Sequence, residues 1–240
     1  MKIIITKDYD EMSTKAFAVM NAVVKNNQYA VLGLATGTTP LGLYKKMIED
    51  HKKHGTSYAH IRAANLDEYL GLPSSHEQSY AYFMRENLFR HLDIELSNTY
   101  IENGMAKNEE EECVRYNALL ESMPRDIQLL GLGSNGHIAF NEPNTPFDSQ
   151  THVVELAEST VKDNARLFSD ISEVPRKAYT MGIKQIMQVK QILILASGAN
   201  KANAVYQTVC GRVTEEVPAS VLQLHNNCIL IADKAAAKRL

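Results

Sequence analysis

Residues 30–54 read AVLGLATGTTPLGLYKKMIEDHKKH. The opening, 30–35, is apolar or small at every position, the pattern of a strand covered on both faces. A turn of Thr36, Gly37, Thr38, Thr39 and Pro40 follows. From 41 to 54 the chain reads as a helix ending in His51, Lys52, Lys53 and His54, basic residues that suit a last helical turn. A strand that passes through a tight turn into a helix is half of a crossover, and such crossovers join parallel strands.

The same alternation runs outward in both directions. Strand-like runs fall at 3–6, 61–66, 127–131, 152–156, 191–197 and 228–232, and helix-like stretches at 10–25, 79–92, 109–123, 201–209 and 219–224. In the first of these helices Phe17, Met20, Val23 and Val24 recur at helical spacing. The expectation is an α/β fold: an open, mostly parallel sheet with helices on both faces, Rossmann-like and three-layered. No linker, repeat or low-complexity stretch divides the chain, so residues 1–240 are expected to form a single domain.

Bulk composition narrows the function. Hydrophobic residues make up 45% and charged residues 22%, and the net charge is −3 with both signs interspersed. Nucleic acids and anionic membranes demand a concentrated basic face, so neither is expected as a partner. Cys113, Cys210 and Cys228 are far apart and form no CxxC pair, which suits a reducing, cytoplasmic setting. The start, MKIIIT, is too short for a signal-peptide core, and no run approaches the ~20 apolar residues of a membrane span. The acidic run 109–112 reads as a first helical turn favoured by the helix dipole. His51 and His54 are spaced like metal ligands but lack acidic or thiol company, and no metal is expected there.

Ligands of open α/β sheets bind outside the carboxyl ends of the strands, so the loops after strands matter most. The first is LATGTTP (34–40). Its glycine allows a tight turn, and its hydroxyls and helix-terminal N–H groups suit an anion, although an ordinary Thr-capped turn has the same composition. Pro40 fits the first helical turn, and no Gly-Lys-Ser/Thr follows as a Walker loop requires. The second, NLDEYLGLP (65–73), puts Asp67 and Glu68 together, either as a general base or as a solvated turn.

The third, GLGSNGHIAFNEP (131–143), opens as G-x-G-x-x-G after a strand. Pro143 and Pro146 break the helix a dinucleotide fingerprint needs, which excludes a nicotinamide cofactor. What remains is His137 and Glu142 in one loop, a pairing able to move protons near neutral pH. The fourth, ASGANK (196–201), offers Lys201 at a helix start, as an anion's counter-charge or as a solvated lysine. Arg166 has the same two readings, a phosphate fork or a surface arginine.

Together LATGTTP (34–40), NLDEYLGLP (65–73), GLGSNGHIAFNEP (131–143), NARLF (164–168) and SGANK (197–201) resemble the glucosamine-6-phosphate deaminase (isomerase) family, in its order and along nearly the whole chain. GHIAFNEP and LDEYLGLP are the most specific pieces. The resemblance implies a cofactor-independent enzyme of amino-sugar catabolism that converts the small-molecule substrate glucosamine 6-phosphate to fructose 6-phosphate and ammonia. It implies that His137 moves the ring-opening proton, assisted by Glu142 and Asn135, and that Asp67 carries the C2 proton to C1. Thr36, Gly37, Thr38, Thr39, Arg166 and Lys201 are then expected to hold the phosphate.

Two features depart from the family pattern. Asn135 stands where many members carry Asp, so imidazolium loses one negative neighbour. His152 and Val154 stand where hexameric, allosterically activated relatives carry an Arg/Lys pair, and the chain stops at Leu240 where theirs continues. An unregulated monomer or small homo-oligomer is expected. The rival readings are a galactosamine-6-phosphate deaminase, differing at one hydroxyl, and a 6-phosphogluconolactonase, whose loop lacks the Phe-Asn-Glu-Pro ending and whose chemistry needs no C2 base. A non-catalytic sugar-phosphate sensor is the third, but such a protein brings a helix-turn-helix, and this chain begins with a strand.

Overall fold

A computed structural model describes residues 1–156, 168, 170 and 173–240. The strands are β1 (Lys2–Thr6), β2 (Val31–Leu34), β3 (Arg62–Asn65), β4 (Asp67–Tyr69), β5 (Thr99–Tyr100), β6 (Ile127–Gly131), β7 (His152–Glu155), β8 (Lys177–Thr180), β9 (Ile192–Ala196) and β10 (Cys228–Asp233). The helices are α1 (Tyr9–Asn26), α2 (Leu41–His54), α3 (Tyr80–Asn87), α4 (Glu109–Ser122), α5 (Ile183–Met187) and α6 (Ala202–Cys210).

Seven strands form one sheet in the order β1-β10-β9-β6-β2-β3-β5, with every neighbouring pair parallel. Every residue of β2 and β9 is buried, as the unbroken apolar runs require of strands covered on both faces. From β2 the chain steps through β3 to β5, and from β6 it steps the opposite way through β9 to β10. Adjacent β2 and β6 therefore send their connections in opposite directions, which opens a crevice beyond their carboxyl ends. At the far edge β1 leaves Ile3 and Ile5 exposed.

The run at 152–156 is a strand, β7, but lies outside the parallel sheet. It pairs antiparallel with β8, which pairs antiparallel with β4, making a separate three-stranded sheet. β4 was hidden because it is three residues long and carries Asp67 and Glu68, so it reads as a loop. The stretch 79–92 stays α-helical only to Asn87 and tightens into a 3₁₀ turn at Phe89–His91. The stretch 219–224 is a 3₁₀ helix, Pro218–Leu224, and a 3₁₀ turn at Ala199–Lys201 precedes α6.

Local chemistry fixes the helix ends. Asp8 caps α1 by accepting from the Glu11 N–H. The buried stripe of α1 is Met12, Ala16, Met20 and Val24 at i, i+4 spacing, with Phe17 and Val23 half-buried on its flanks. Asn108 caps α4, and Glu109, Glu110, Glu111 and Glu112 form its first turn as expected. Glu112 is buried and takes two hydrogen bonds from Arg115. At the end of α2, His51 Nδ1 lies 2.8 Å from Thr56 O and His54 Nδ1 2.9 Å from Asp50 Oδ1, so the two rings serve different partners.

Candidate active site

The loops after β2 and β6 meet at the crevice between those strands. A cavity of about 190 Å³ there is lined by Thr36, Gly37, Thr39, Asp67, His137 and Lys201, together with Leu66, Tyr80, Leu132, Gly133, Ala139 and Phe140. Residues from four separate loops thus open on one space.

The loop after β2 turns at Gly37, whose φ of +86° is left-handed. Helix α2 starts at Leu41 with Pro40 in the cap position and no side-chain cap, so the threonine hydroxyls are not engaged as N-caps. The amides expected to face an anion are partly occupied. Leu41 N–H points to Thr38 O, and Gly42 N–H donates to the Tyr9 hydroxyl at 2.8 Å. That hydroxyl in turn lies 3.1 Å from Thr38 O and 3.0 Å from Thr39 O. Tyr9, on α1, pins this loop from below, a role with no local sequence signal because it lies some thirty residues upstream. Thr38 itself faces the neighbouring cleft, with Tyr9 and Leu41, rather than the cavity.

The loop after β6 folds back so tightly that Gly133 N–H donates to His137 O at 2.9 Å. A Cβ on Gly133 would lie 2.4 Å from the His137 ring, so only glycine lets the imidazole sit there. His137 Nδ1 is 3.0 Å from Glu142 Oε1, an ion-pair distance without the alignment of a full hydrogen bond. Asn135 braces both: its Nδ2 donates to Glu142 Oε2 at 2.6 Å, and its Oδ1 accepts from the His137 N–H at 3.2 Å. The contact with His137 holds the Glu142 carboxyl below its ordinary value, and the Asn135 amide adds to this. Glu142 and Asn135 sit behind His137 rather than on the cavity wall.

Asp67 is buried at the start of β4, and its carboxyl is pushed up to about 8, first by burial and then by the neighbouring charge of Glu68. Glu68 is neither solvated nor turned to the cavity. Its Oε1 accepts from the N–H groups of Tyr69 at 2.8 Å and Tyr80 at 2.9 Å, and its Oε2 from that of Ala81 at 2.8 Å. It thereby anchors the N-terminus of α3, where a carboxylate also meets the favourable end of the helix dipole. Tyr80, the first residue of α3, stacks on Phe140 at 6.2 Å and makes an aromatic wall that the spacing of the motifs did not reveal.

Lys201 is half-buried against the cavity, and burial lowers its ammonium below the ordinary lysine range. Its loop is held by Asp233, whose carboxylate accepts from Ser197 Oγ at 2.5 Å and from the Gly198 N–H. Arg166 lies outside the described residues. Among the described residues no group of three His, Cys, Asp or Glu is arranged to hold a metal ion.

Chemically, the cavity offers a high-pKa carboxyl, an imidazole–carboxylate pair and, at one side, hydroxyls with an ammonium. That set can move protons at two neighbouring atoms of a small anionic substrate. The sequence profile of a family described as glucosamine-6-phosphate isomerases/6-phosphogluconolactonase matches residues 8–231. A glucosamine-6-phosphate deaminase of Geobacillus sp. (strain WCH70) is 53% identical over 237 residues, covering 98% of this chain and 94% of its own. One from Clostridium perfringens (strain ATCC 13124) is 48% identical across the full length of both chains. Among solved structures, a monomeric glucosamine-6-phosphate deaminase superposes with a TM-score of 0.96 at 45% identity, covering 99% of each chain. A 6-phosphogluconolactonase from Trypanosoma brucei shares the fold, with a TM-score of 0.81 at 19% identity over 100% of this chain and 98% of its own. No helix among the described residues is long and apolar enough to cross a membrane. By profile, identity and fold, the chain belongs to the glucosamine-6-phosphate isomerase/6-phosphogluconolactonase family.

Proposed function

We propose that this protein converts glucosamine 6-phosphate to fructose 6-phosphate with release of ammonia. The observation that carries the reading is a buried carboxyl, Asp67, titrating near 8 on the same cavity as His137, which is itself backed by Glu142. Lactone hydrolysis needs no base acting at C2, whereas proton transfer between adjacent carbons does.

The substrate enters as a closed ring. His137 takes the proton of the C1 hydroxyl and delivers it to the ring oxygen, which opens the ring. Glu142 stabilises the imidazolium that forms meanwhile, and Asn135 fixes both in place. Asp67 removes the hydrogen at C2 and returns it to C1, while the C1 oxygen takes up a proton through His137 and the nitrogen gives one up, so the C=O at C1 becomes a hydroxyl and a C=N forms at C2. Water then adds to this imine and ammonia leaves. Water enters, ammonia departs, and no electrons are exchanged with an external carrier. A C2 ammonium is the natural counter-charge for Asp67 and favours its carboxylate form, so the base is generated as substrate arrives.

Thr36, Gly37, Thr39 and Lys201 hold the phosphate, with Arg166 as the guanidinium partner. Loops on β2 and β9 then grip one end of the sugar while Asp67 and His137 work on the other, which helps turnover as well as affinity. We assign the reaction to cytoplasmic amino-sugar catabolism, by residues 1–240 acting as one unit in a monomer or small homo-oligomer; three unpaired cysteines support a reducing compartment.

The test is ammonia release by the purified protein from glucosamine 6-phosphate, with galactosamine 6-phosphate and 6-phosphogluconolactone run alongside. Ammonia and fructose 6-phosphate from the first substrate are expected. Turnover of the galactosamine epimer alone changes the substrate but keeps the mechanism, and lactone hydrolysis alone overturns both.

A further inference from the structure

The two halves of the chemistry sit on separate pieces of chain, and one dipeptide ties them together. Asp67 belongs to β4 in the small sheet, while His137 and Glu142 belong to the loop after β6 in the large one. Thr180 and Met181, at the end of β8, touch both. On one side Thr180 is the antiparallel partner of Asp67, and the Met181 N–H donates to Leu66 O at 2.7 Å. On the other side the Phe140 N–H donates to Thr180 Oγ1 at 3.1 Å. Asn141 Nδ2 donates to Met181 O at 2.9 Å and to Ile138 O at 3.0 Å. Thr180, Met181 and Asn141 have no exposed surface, so water does not stand in for these partners.

The loop needs such a tie. Ala139, between His137 and Glu142, has a φ of +53°, a left-handed conformation that a non-glycine residue keeps only where its surroundings hold it. The holding contacts are the Phe140 and Asn141 hydrogen bonds on its carboxyl side.

We propose that Thr180 is a positioning residue whose hydroxyl sets the spacing between Asp67 and the His137–Glu142 pair; this rests on the reaction assigned above. The Thr180 backbone is locked to β4, so its Oγ1 is a fixed post standing against the loop. Without that acceptor the part-buried Phe140 N–H loses its protein partner, and the loop shifts to satisfy it. The phosphate-binding loops lie on other strands and are untouched, so affinity survives while proton transfer suffers.

The experiment compares Thr180→Val and Thr180→Ser in the full chain, by steady-state ammonia release and by thermal melting. T180V is expected to lower kcat per folded molecule by about ten- to a hundredfold, the loss a displacement of roughly 1 Å produces, with KM changed little. T180S restores the hydroxyl and is expected to restore kcat. A purely structural role would lower the melting temperature of T180V and leave kcat per folded molecule intact. Wild-type kcat in T180V, or equal losses in T180V and T180S, overturns the proposal. If T180V does not fold, exchange of the Phe140 amide in the unsubstituted enzyme decides: slow exchange supports the tie and rapid exchange overturns it. An unsubstituted enzyme with no activity on the sugar phosphate removes the functional reading and the proposal together; an active enzyme indifferent to T180V removes the proposal alone.

Discussion

Replacing Asp67 by Asn is expected to lower turnover steeply and, at the same time, to make the fold more stable in mildly alkaline solution. In the unfolded chain Asp67 ionises near its ordinary value of 3.8, and in the folded protein at about 8. Between those values the folded protein holds a proton that the unfolded chain has released, so stability falls as pH rises through the window. Below about pH 4 the penalty is absent, and above about pH 8 it is complete. Each pH unit inside the window costs about 1.4 kcal/mol, so the penalty grows by roughly 4 kcal/mol between pH 5 and pH 8. Asn keeps the shape and carries no charge, so it escapes this term. For a chain of this size the melting temperature of D67N should gain on the wild type by about 10 °C across that range. Turnover should meanwhile fall by roughly 10²–10⁴-fold. Melting both proteins at several pH values and plotting the difference isolates Asp67 and the groups coupled to it, because the titrations of distant groups cancel. A difference that stays flat from pH 5 to pH 8, or a D67N protein that is the less stable at pH 8, would mean that Asp67 carries no such burial penalty.

Three further outcomes follow from the same site. In the unsubstituted enzyme kcat/KM should rise about tenfold per pH unit up to about pH 8 and then level off, since it reports the free enzyme's base; a plateau already reached at pH 6 speaks against Asp67. Asn135→Asp puts an acceptor where a donor now lies 2.6 Å from Glu142, so Glu142 is pushed up and the acid limb of kcat should move to higher pH by about one unit. An unchanged curve removes Asn135 from ring opening. Glu68→Gln weakens the anchor of α3 and should cost about 1–2 kcal/mol of stability, while removing a charge that raises Asp67. Denaturant titration checks the first effect, and a kcat/KM limb moved to lower pH checks the second.

The parallel sheet was readable chiefly through β2, β6, β9 and β10, which are largely apolar, with glycine turns after the first three; β5, only Thr99 and Tyr100, gave no such signal. Val31–Leu34 and Ile192–Ala196 differ from the assigned runs by one residue at each end. The small antiparallel sheet was not readable, because β4 consists of Asp67, Glu68 and Tyr69 and β8 of Lys177–Thr180, neither of which shows a strand's apolar signature. Asp67, His137, Thr36, Gly37, Thr39 and Lys201 were singled out from loops after strands and do line one cavity, since topology obliges those loops to converge. Tyr9, Tyr80 and Thr180 were missed for a shared reason. Each acts through a contact between residues distant in sequence, and nothing in its immediate neighbours marks it out. Glu68 was ambiguous for the opposite reason: an acidic residue beside a candidate base looks catalytic until its three backbone donors are seen.

The pairing of β1 with β10 bears on how the molecule assembles. Lys2 lies beside Ile229 and Thr6 beside Asp233, so the first strand has no neighbour until some 227 residues later in the chain. On a ribosome adding roughly 5–20 residues per second, β1 waits on the order of ten seconds or more for its partner. Helix α1 waits too, because part of the surface it covers belongs to β9 and β10. β2 and β3, in contrast, meet within about thirty residues. Folding should therefore start from the middle of the sheet and close last at β1, where Ile3 and Ile5 stay exposed even in the finished protein. That edge is the part of the nascent chain most in need of protection from unwanted association.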